Sequence, residues 1–196
     1  MSSAAHHRFS FAEYAELVAD KGMKLEFLDG QVWAMSGGTP DHARVTTNVS
    51  TLLSGALRGR PYAVYSPDLR VRSKKTGLGT YADVTVICGG VELDPDDPKR
   101  HTATNPRVLV EVLSPSTEEN DRGTKLEHYM TIPSVAEVVL VSHDARAIEI
   151  VRREADGTWS MTKTSNEGVA HLTSLDVALS LDEVYRDPLR TAEAER

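Results

Sequence analysis

A chain of 196 residues with 40% hydrophobic and 26% charged side chains can bury a core of its own, which excludes bulk disorder and favours one domain. Its formal net charge of -7 argues against a protein that coats nucleic acid by bulk electrostatics, but leaves room for an enzyme that reaches nucleic acid through a local basic path. A single cysteine, Cys88, excludes a disulfide framework and a zinc–cysteine cluster; its place at the end of the apolar run Val84-Thr85-Val86-Ile87 predicts a buried, inert thiol.

From the N-terminus, Ser10 can cap a short helix reaching about Asp20, with Phe11, Tyr14, Leu17 and Val18 on one face. Two short apolar runs, Lys24 to Leu28 and Gln31 to Met35, flank Asp29-Gly30, a hairpin signal. Thr39-Pro40 supplies a cap and a first-turn proline for a helix whose stripe is Val45, Val49, Leu52, Leu53, Ala56 and Leu57. Tyr62 to Val71 reads as one strand, Lys74 to Gly79 as a polar turn, and Tyr81 to Cys88 as a strand buried on both faces. After the Asp- and Pro-rich loop Leu93 to Arg100 come a third buried strand, Val108 to Leu113, a helix from about Asp121 to Met130, and the strand Val135 to Val141. A hairpin pairing Ala147 to Arg153 with Thr158 to Lys163, then a short helix near Leu181 to Tyr185, complete the order.

Without its ends this order is αβββαβ. That predicts an α/β (α+β) fold with a central mixed sheet flanked by helices, an N-terminal helix–hairpin and a C-terminal hairpin. Residues 9–186 are expected to form one domain, with flexible ends at 1–8 and 187–196. No positively charged start leads into an apolar segment and no apolar run approaches roughly 18 residues, so a cytoplasmic protein with no membrane partner is expected.

Two carboxylates interrupt the buried strands: Asp83 in Tyr-Ala-Asp-Val-Thr-Val-Ile and Glu111 in Val-Leu-Val-Glu-Val-Leu. A carboxylate in an apolar strand is costly unless paired or bound to a cation. Two on consecutive central strands could share one site, where a divalent ion would relieve their repulsion. The alternative pairs each acid with an arginine; Arg70, Arg72 and Arg107 are the candidates. Lys125, on the helix after Glu111 and four residues before Tyr129, could project an ammonium over the sheet end, where it would stabilise charge on a phosphate or orient a water.

These motifs, taken in order, resemble the Uma-type restriction endonucleases within the PD-(D/E)XK nuclease superfamily. The matching pieces are Leu25-Glu26-Phe27-Leu28-Asp29-Gly30, Pro40-Asp41-His42, Ser66-Pro67-Asp68-Leu69-Arg70-Val71, Ala82-Asp83-Val84, Val110-Glu111-Val112-Leu113-Ser114-Pro115-Ser116-Thr117, and Lys125 with Tyr129. The resemblance spans about residues 9–186 and implies a restriction-endonuclease-like core. In it Asp83, Glu111 and the main-chain carbonyl of Val112 would hold a metal and Lys125 would be the catalytic lysine. It also raises His42, on the Val45/Val49 face of its helix, to a metal ligand or proton shuttle, and Glu26 to an outer ligand or base. The sequence departs from the superfamily pattern in three places. The lysine expected two residues after the glutamate is replaced by Leu113, its role moving to Lys125; Ala82 stands where a proline precedes the aspartate; and no tryptophan accompanies Ser134-Val135-Ala136-Glu137.

An all-oxygen ligand set suits Mg²⁺ or Mn²⁺. The function expected is metal-dependent hydrolysis of DNA phosphodiester bonds, with substrate contacts from the basic stretch Arg58, Arg60, Arg70, Arg72, Lys74 and Lys75. A homodimer suits it, because cutting two strands needs two sites. The competing expectation is a nuclease-like fold without cleavage, serving nucleic-acid binding or protein assembly, which the acidic balance favours.

Overall fold

The computed structural model describes residues 7–35, 37–115, 118–142 and 145–187. Most of the ends expected to be flexible lie outside the described residues, as do Ser116-Thr117 and the turn at His143-Asp144. The first helix, α1 (Phe11–Lys21), is closed by a reciprocal cap: the Ser10 hydroxyl accepts from the Glu13 N–H while the Glu13 carboxylate accepts from the Ser10 N–H. Its Phe11 and Tyr14 pack on Leu25 and Phe27 of the hairpin β1 (Leu25–Leu28) and β2 (Gln31–Ala34). The turn residues Asp29 and Gly30 both take positive φ, as a tight two-residue hairpin requires. Next comes α2 (Pro40–Ala56), with Thr39 as its cap, Pro40 in its first turn, and Val45, Val49 and Leu53 buried along one stripe.

Two runs read from sequence as single strands are each broken and shared between sheets. The first becomes β3 (Tyr62–Tyr65) and β4 (Arg70–Arg72), because Pro67 cannot donate to a ladder and Ser66 to Leu69 form a turn. The second becomes β5 (Gly79–Tyr81) and β6 (Val84–Cys88), with Ala82 and Asp83 as the joint. After β7 (Thr102–Ala103) and β8 (Pro106–Leu113), α3 (Glu118–Asn120) runs through a π-helical turn, Asp121–Lys125, into α4 (Leu126–Met130). Then follow β9 (Glu137–Ser142), β10 (Ala147–Arg153), β11 (Trp159–Ser165), β12 (Val169–Leu172), β13 (Val177–Ser180) and α5 (Leu181–Val184).

The predicted mixed sheet is six-stranded, in the order β11-β10-β9-β8-β6-β3, with β8 and β9 parallel and the other pairs antiparallel. A five-stranded sheet, β2-β1-β5-β4-β7, carries the N-terminal hairpin, and β12-β13 form a separate pair that the sequence analysis missed. Period-two alternation divides the core. Val108, Val110 and Val112 of β8 face the cluster containing α2, whereas Leu109 and Leu113 face the one containing Leu126 and Tyr129 of α4. Cys88, expected to be buried, is exposed: the apolar run ends at Ile87, and Cys88 lies at the open end of β6 before Gly89-Gly90. Among the described residues no helix is long and apolar enough to cross a membrane.

Candidate active site

The joint between β5 and β6 makes the site. The ladder of β6 on β8 ends at Val84 opposite Val110, so Asp83 stands one residue beyond it, beside Glu111. The Asp83 carboxylate accepts the Val112 N–H at 2.7 Å and lies 3.2 Å from His42 Nε2. His42 reaches it from the first turn of α2, with its ring against Gly38; a Cβ at Gly38 would lie 2.6 Å from the imidazole Nδ1. A side chain there would require the ring or the loop to shift.

Glu111 has the parity of Leu109 and Leu113 and so faces the segment 118–130. There it meets Lys125, whose Nζ lies 3.0 Å from Glu111 Oε1, 3.5 Å from Glu26 Oε1 and 3.7 Å from Asp121 Oδ1. The same amine donates to the Tyr81 carbonyl at 3.3 Å, and the Tyr129 hydroxyl donates to Glu111 Oε1 at 2.5 Å. Glu26 comes from the other sheet. Its Oε2 accepts the indole N–H of Trp33, its cross-strand neighbour, at 2.9 Å, and its Oε1 accepts from the Thr80 hydroxyl. The six predicted site residues outside the basic stretch, Glu26, His42, Asp83, Glu111, Val112 and Lys125, line one cavity of about 230 Å³. Among the described residues neither Asp83 nor Glu111 pairs with an arginine.

Three carboxylates around one ammonium, with Asp83 beside them, leave the cluster rich in negative charge. Burial, reinforced by Asp83 and Asp121 and only partly offset by Lys125, pushes Glu111 up to about 8. Burial pulls the other way on Lys125, but Glu111, Glu26 and Asp121 together carry its pKa above the usual lysine range, so the amine stays charged. The hydrogen bond to Asp83 raises His42, against the opposing effect of burial, with the main chain of Val112 adding to the rise. Tyr129 is raised well above its ordinary value by burial and by Glu111.

A hard divalent cation fits this chemistry. Asp83 and Val112 line the cavity, and the anionic form of Glu111 is short of positive charge, the deficit such an ion supplies. Among the described residues no three His, Cys, Asp or Glu side chains are grouped to hold an ion; the expected set needs only two carboxylates and a carbonyl.

The expected substrate-binding stretch is corrected in part. Arg70 is 2% exposed, bonded to Asp97 at 2.7 Å and to the Thr102 hydroxyl at 2.7 Å, and stacked against Tyr14. Arg72 and Lys74 both pair with Asp94 and Asp96. The loop between Leu93 and Arg100 therefore neutralises these cations, a role invisible without the tertiary pairing. Lys75 is exposed and outside the cavity. Arg60 is used on the carbonyls of Leu175 and Asp176. The sequence analysis missed Asp121, Trp33 and Gly38. Asp121 had a signal, lying four residues before Lys125; Trp33 had one too, since it sits opposite Glu26 across the Asp29-Gly30 turn.

Three comparisons bear on this arrangement. A family model, Uma2, described as "Putative restriction endonuclease", matches residues 11–182. Two proteins of Synechocystis sp. (strain PCC 6803), both known only as uncharacterized, are similar in sequence. One, slr1290, is 33% identical over 185 residues, covering 94% of this chain and 95% of the relative. The other, sll1609, is 30% identical over 156 residues, covering 80% and 87%. A crystal structure from Anabaena variabilis ATCC 29413, described as a "putative nuclease belonging to DUF820", superposes with a TM-score of 0.68 at 12% identity, over 82% of this chain and 89% of that one; it bears on the fold alone.

Proposed function

From a chain that belongs to the Uma2 family of "Putative restriction endonuclease" proteins, we propose a Mg²⁺- or Mn²⁺-dependent nuclease that hydrolyses phosphodiester bonds in DNA. The observation that carries the reading is the convergence of Asp83, Glu111, Val112 and Lys125, from one strand, one helical turn and the joint between two other strands, on one cavity open to solvent. Asp83, Glu111 and the Val112 carbonyl would hold the ion. When bound, it supplies a water acidified toward neutral pH and neutralises charge on the scissile phosphate. Lys125, fixed by Glu111, Glu26 and the Tyr81 carbonyl, sets a positive charge beside the position the phosphate takes, where preorganised charge acts most strongly. Glu26 holds that amine from the opposite sheet. His42, bonded to Asp83 and partly open to solvent, can pass a proton between the cavity and bulk water.

One observation favours the silent-module alternative: the Val112 N–H and His42 both engage the Asp83 carboxylate. The two readings separate in one experiment. Plasmid nicking is expected to require Mg²⁺ or Mn²⁺ and to fall by about three orders of magnitude or more in Asp83→Asn, whose circular dichroism and melting should stay native. Calorimetric titration with Mn²⁺ is expected to give heat with the parent and none with the variant. Undiminished nicking by Asp83→Asn would remove that residue from the mechanism; no heat together with no nicking would favour a binding module.

A further inference from the structure

We propose that the substrate strand enters this site unpaired: the chain carries a track for single-stranded DNA, with Trp33 as the platform for a base and the outer face of α2 as the bed for the neighbouring backbone. The inference rests on the nuclease reading above and names its substrate class.

Two cavities meet at His42 and Asp83. One is the catalytic cavity; the second, of about 430 Å³, runs along α2 and shares Gly38, His42 and Asp83 with the first. Both border the catalytic aspartate, so a polymer lying in one has the other to continue into beyond Asp83. From His42 to Thr51 the second cavity follows α2 for roughly 14 Å at the helical rise per residue. Its wall is made of small uncharged side chains, Thr46, Thr47, Ser50 and Thr51 on the helix with Ser66 and Pro67 beyond it, and among the described residues it carries no lysine or arginine. Side chains this small let a sugar–phosphate backbone approach the helix closely; the Thr47, Thr51 and Ser66 hydroxyls already donate to the Ala43 carbonyl, the Thr47 carbonyl and the Asp68 carboxylate, so the bed is one of shape.

A duplex held at its phosphates needs rows of free cations. Here several of the cations are committed within the fold. Arg70, Arg72 and Lys74 face Asp94, Asp96 and Asp97; Arg122 and Lys163 face Glu149; and Arg152 faces Glu137. What the site offers in their place is an aromatic surface. Trp33 lines the catalytic cavity, is 39% exposed, and is held by its indole N–H on the Glu26 carboxylate. A large apolar ring that is both exposed and fixed in orientation suits stacking, which every base can supply and which a paired base, already stacked within its helix, cannot offer on its face.

The test is fluorescence anisotropy of the intact protein with a labelled short single-stranded DNA and with its duplex, both in Ca²⁺ and over a salt series. Single-stranded DNA should bind more tightly than duplex, with a slope of log affinity on log salt no steeper than about -1.5, equivalent to roughly two phosphate contacts. Trp33→Ala should weaken single-strand binding by about fivefold or more, the effect of losing one stacked base, and Trp33→Phe should restore most of it. On the exposed face of α2, Thr51→Glu should weaken binding and Thr51→Lys strengthen it, a reversal with charge sign that a purely structural role would not give. Equal affinity for the two forms, a steep salt slope, or unaltered binding by Trp33→Ala would overturn the track. So would no binding to either form. Cleavage of duplex plasmid in Mn²⁺ that requires Asp83 but not Trp33 would overturn the track while leaving the nuclease reading in place; no Mn²⁺-dependent cleavage of either form would sink that reading itself.

Discussion

Glu111 behaves at this site as no surface glutamate does. Free in the unfolded chain it titrates near ~4.3, whereas in the folded protein burial raises it to about 8. The folded state therefore keeps a proton that the unfolded chain releases. This contribution to stability is complete below about 4.3 and is lost as pH rises toward about 8. In chelator, the melting temperature of the parent should decline between these limits relative to Glu111→Gln, which is neutral throughout, and Mn²⁺ should reduce or abolish the decline. Parallel melting curves for the two proteins would mean that Lys125 fully compensates the carboxylate. The same position shows what could be read from sequence. An acid in an apolar strand is conspicuous in a linear string because burial makes it costly, so Asp83 and Glu111 were legible, and with them the meeting of Glu111 and Lys125. Arg70 was misread because a buried arginine and a substrate-binding one look alike until Asp97 and Thr102 are found beside it.

Elements of the fold were legible to the extent that their signals are local. The Ser10 cap, the Asp29-Gly30 turn and the Thr39-Pro40 start lie within a few residues of what they specify, and all three are present. The hairpin β12-β13 was missed because what fixes it lies elsewhere in the chain. The buried carboxylate of Glu137, on β9, accepts the N–H groups of Thr173 and Ser174, the Ser174 hydroxyl at 2.5 Å and Arg152 Nε at 2.7 Å. Glu137→Ala should lower stability by about 3–5 kcal/mol, because it leaves a guanidinium and two main-chain donors without their acceptor; chemical denaturation measures the loss. A cost below about 1 kcal/mol would show that water replaces the carboxylate. The breaks at Pro67 and Ala82-Asp83 were also illegible, since continuous strand propensity does not say when a chain leaves one sheet for another.

At the scale of the whole molecule, Lys125 does more than present a charge. Its amine is held by Glu111 of the six-stranded sheet and, from the five-stranded sheet, by Glu26 of β1 and the Tyr81 carbonyl of β5. It is a rivet through two plates, set where the chain crosses between them at Ala82-Asp83. Removing it should let the smaller plate slip before the larger one melts. In Lys125→Met, amide hydrogen exchange should therefore quicken in β1 and β5 while β8 and β9 stay protected, and equal quickening in all four strands would mean the plates are fastened elsewhere. The seam also sets a limit on catalysis: the pieces of the site are carried by separate plates, so whatever slides one over the other detunes the chemistry without touching a reacting group.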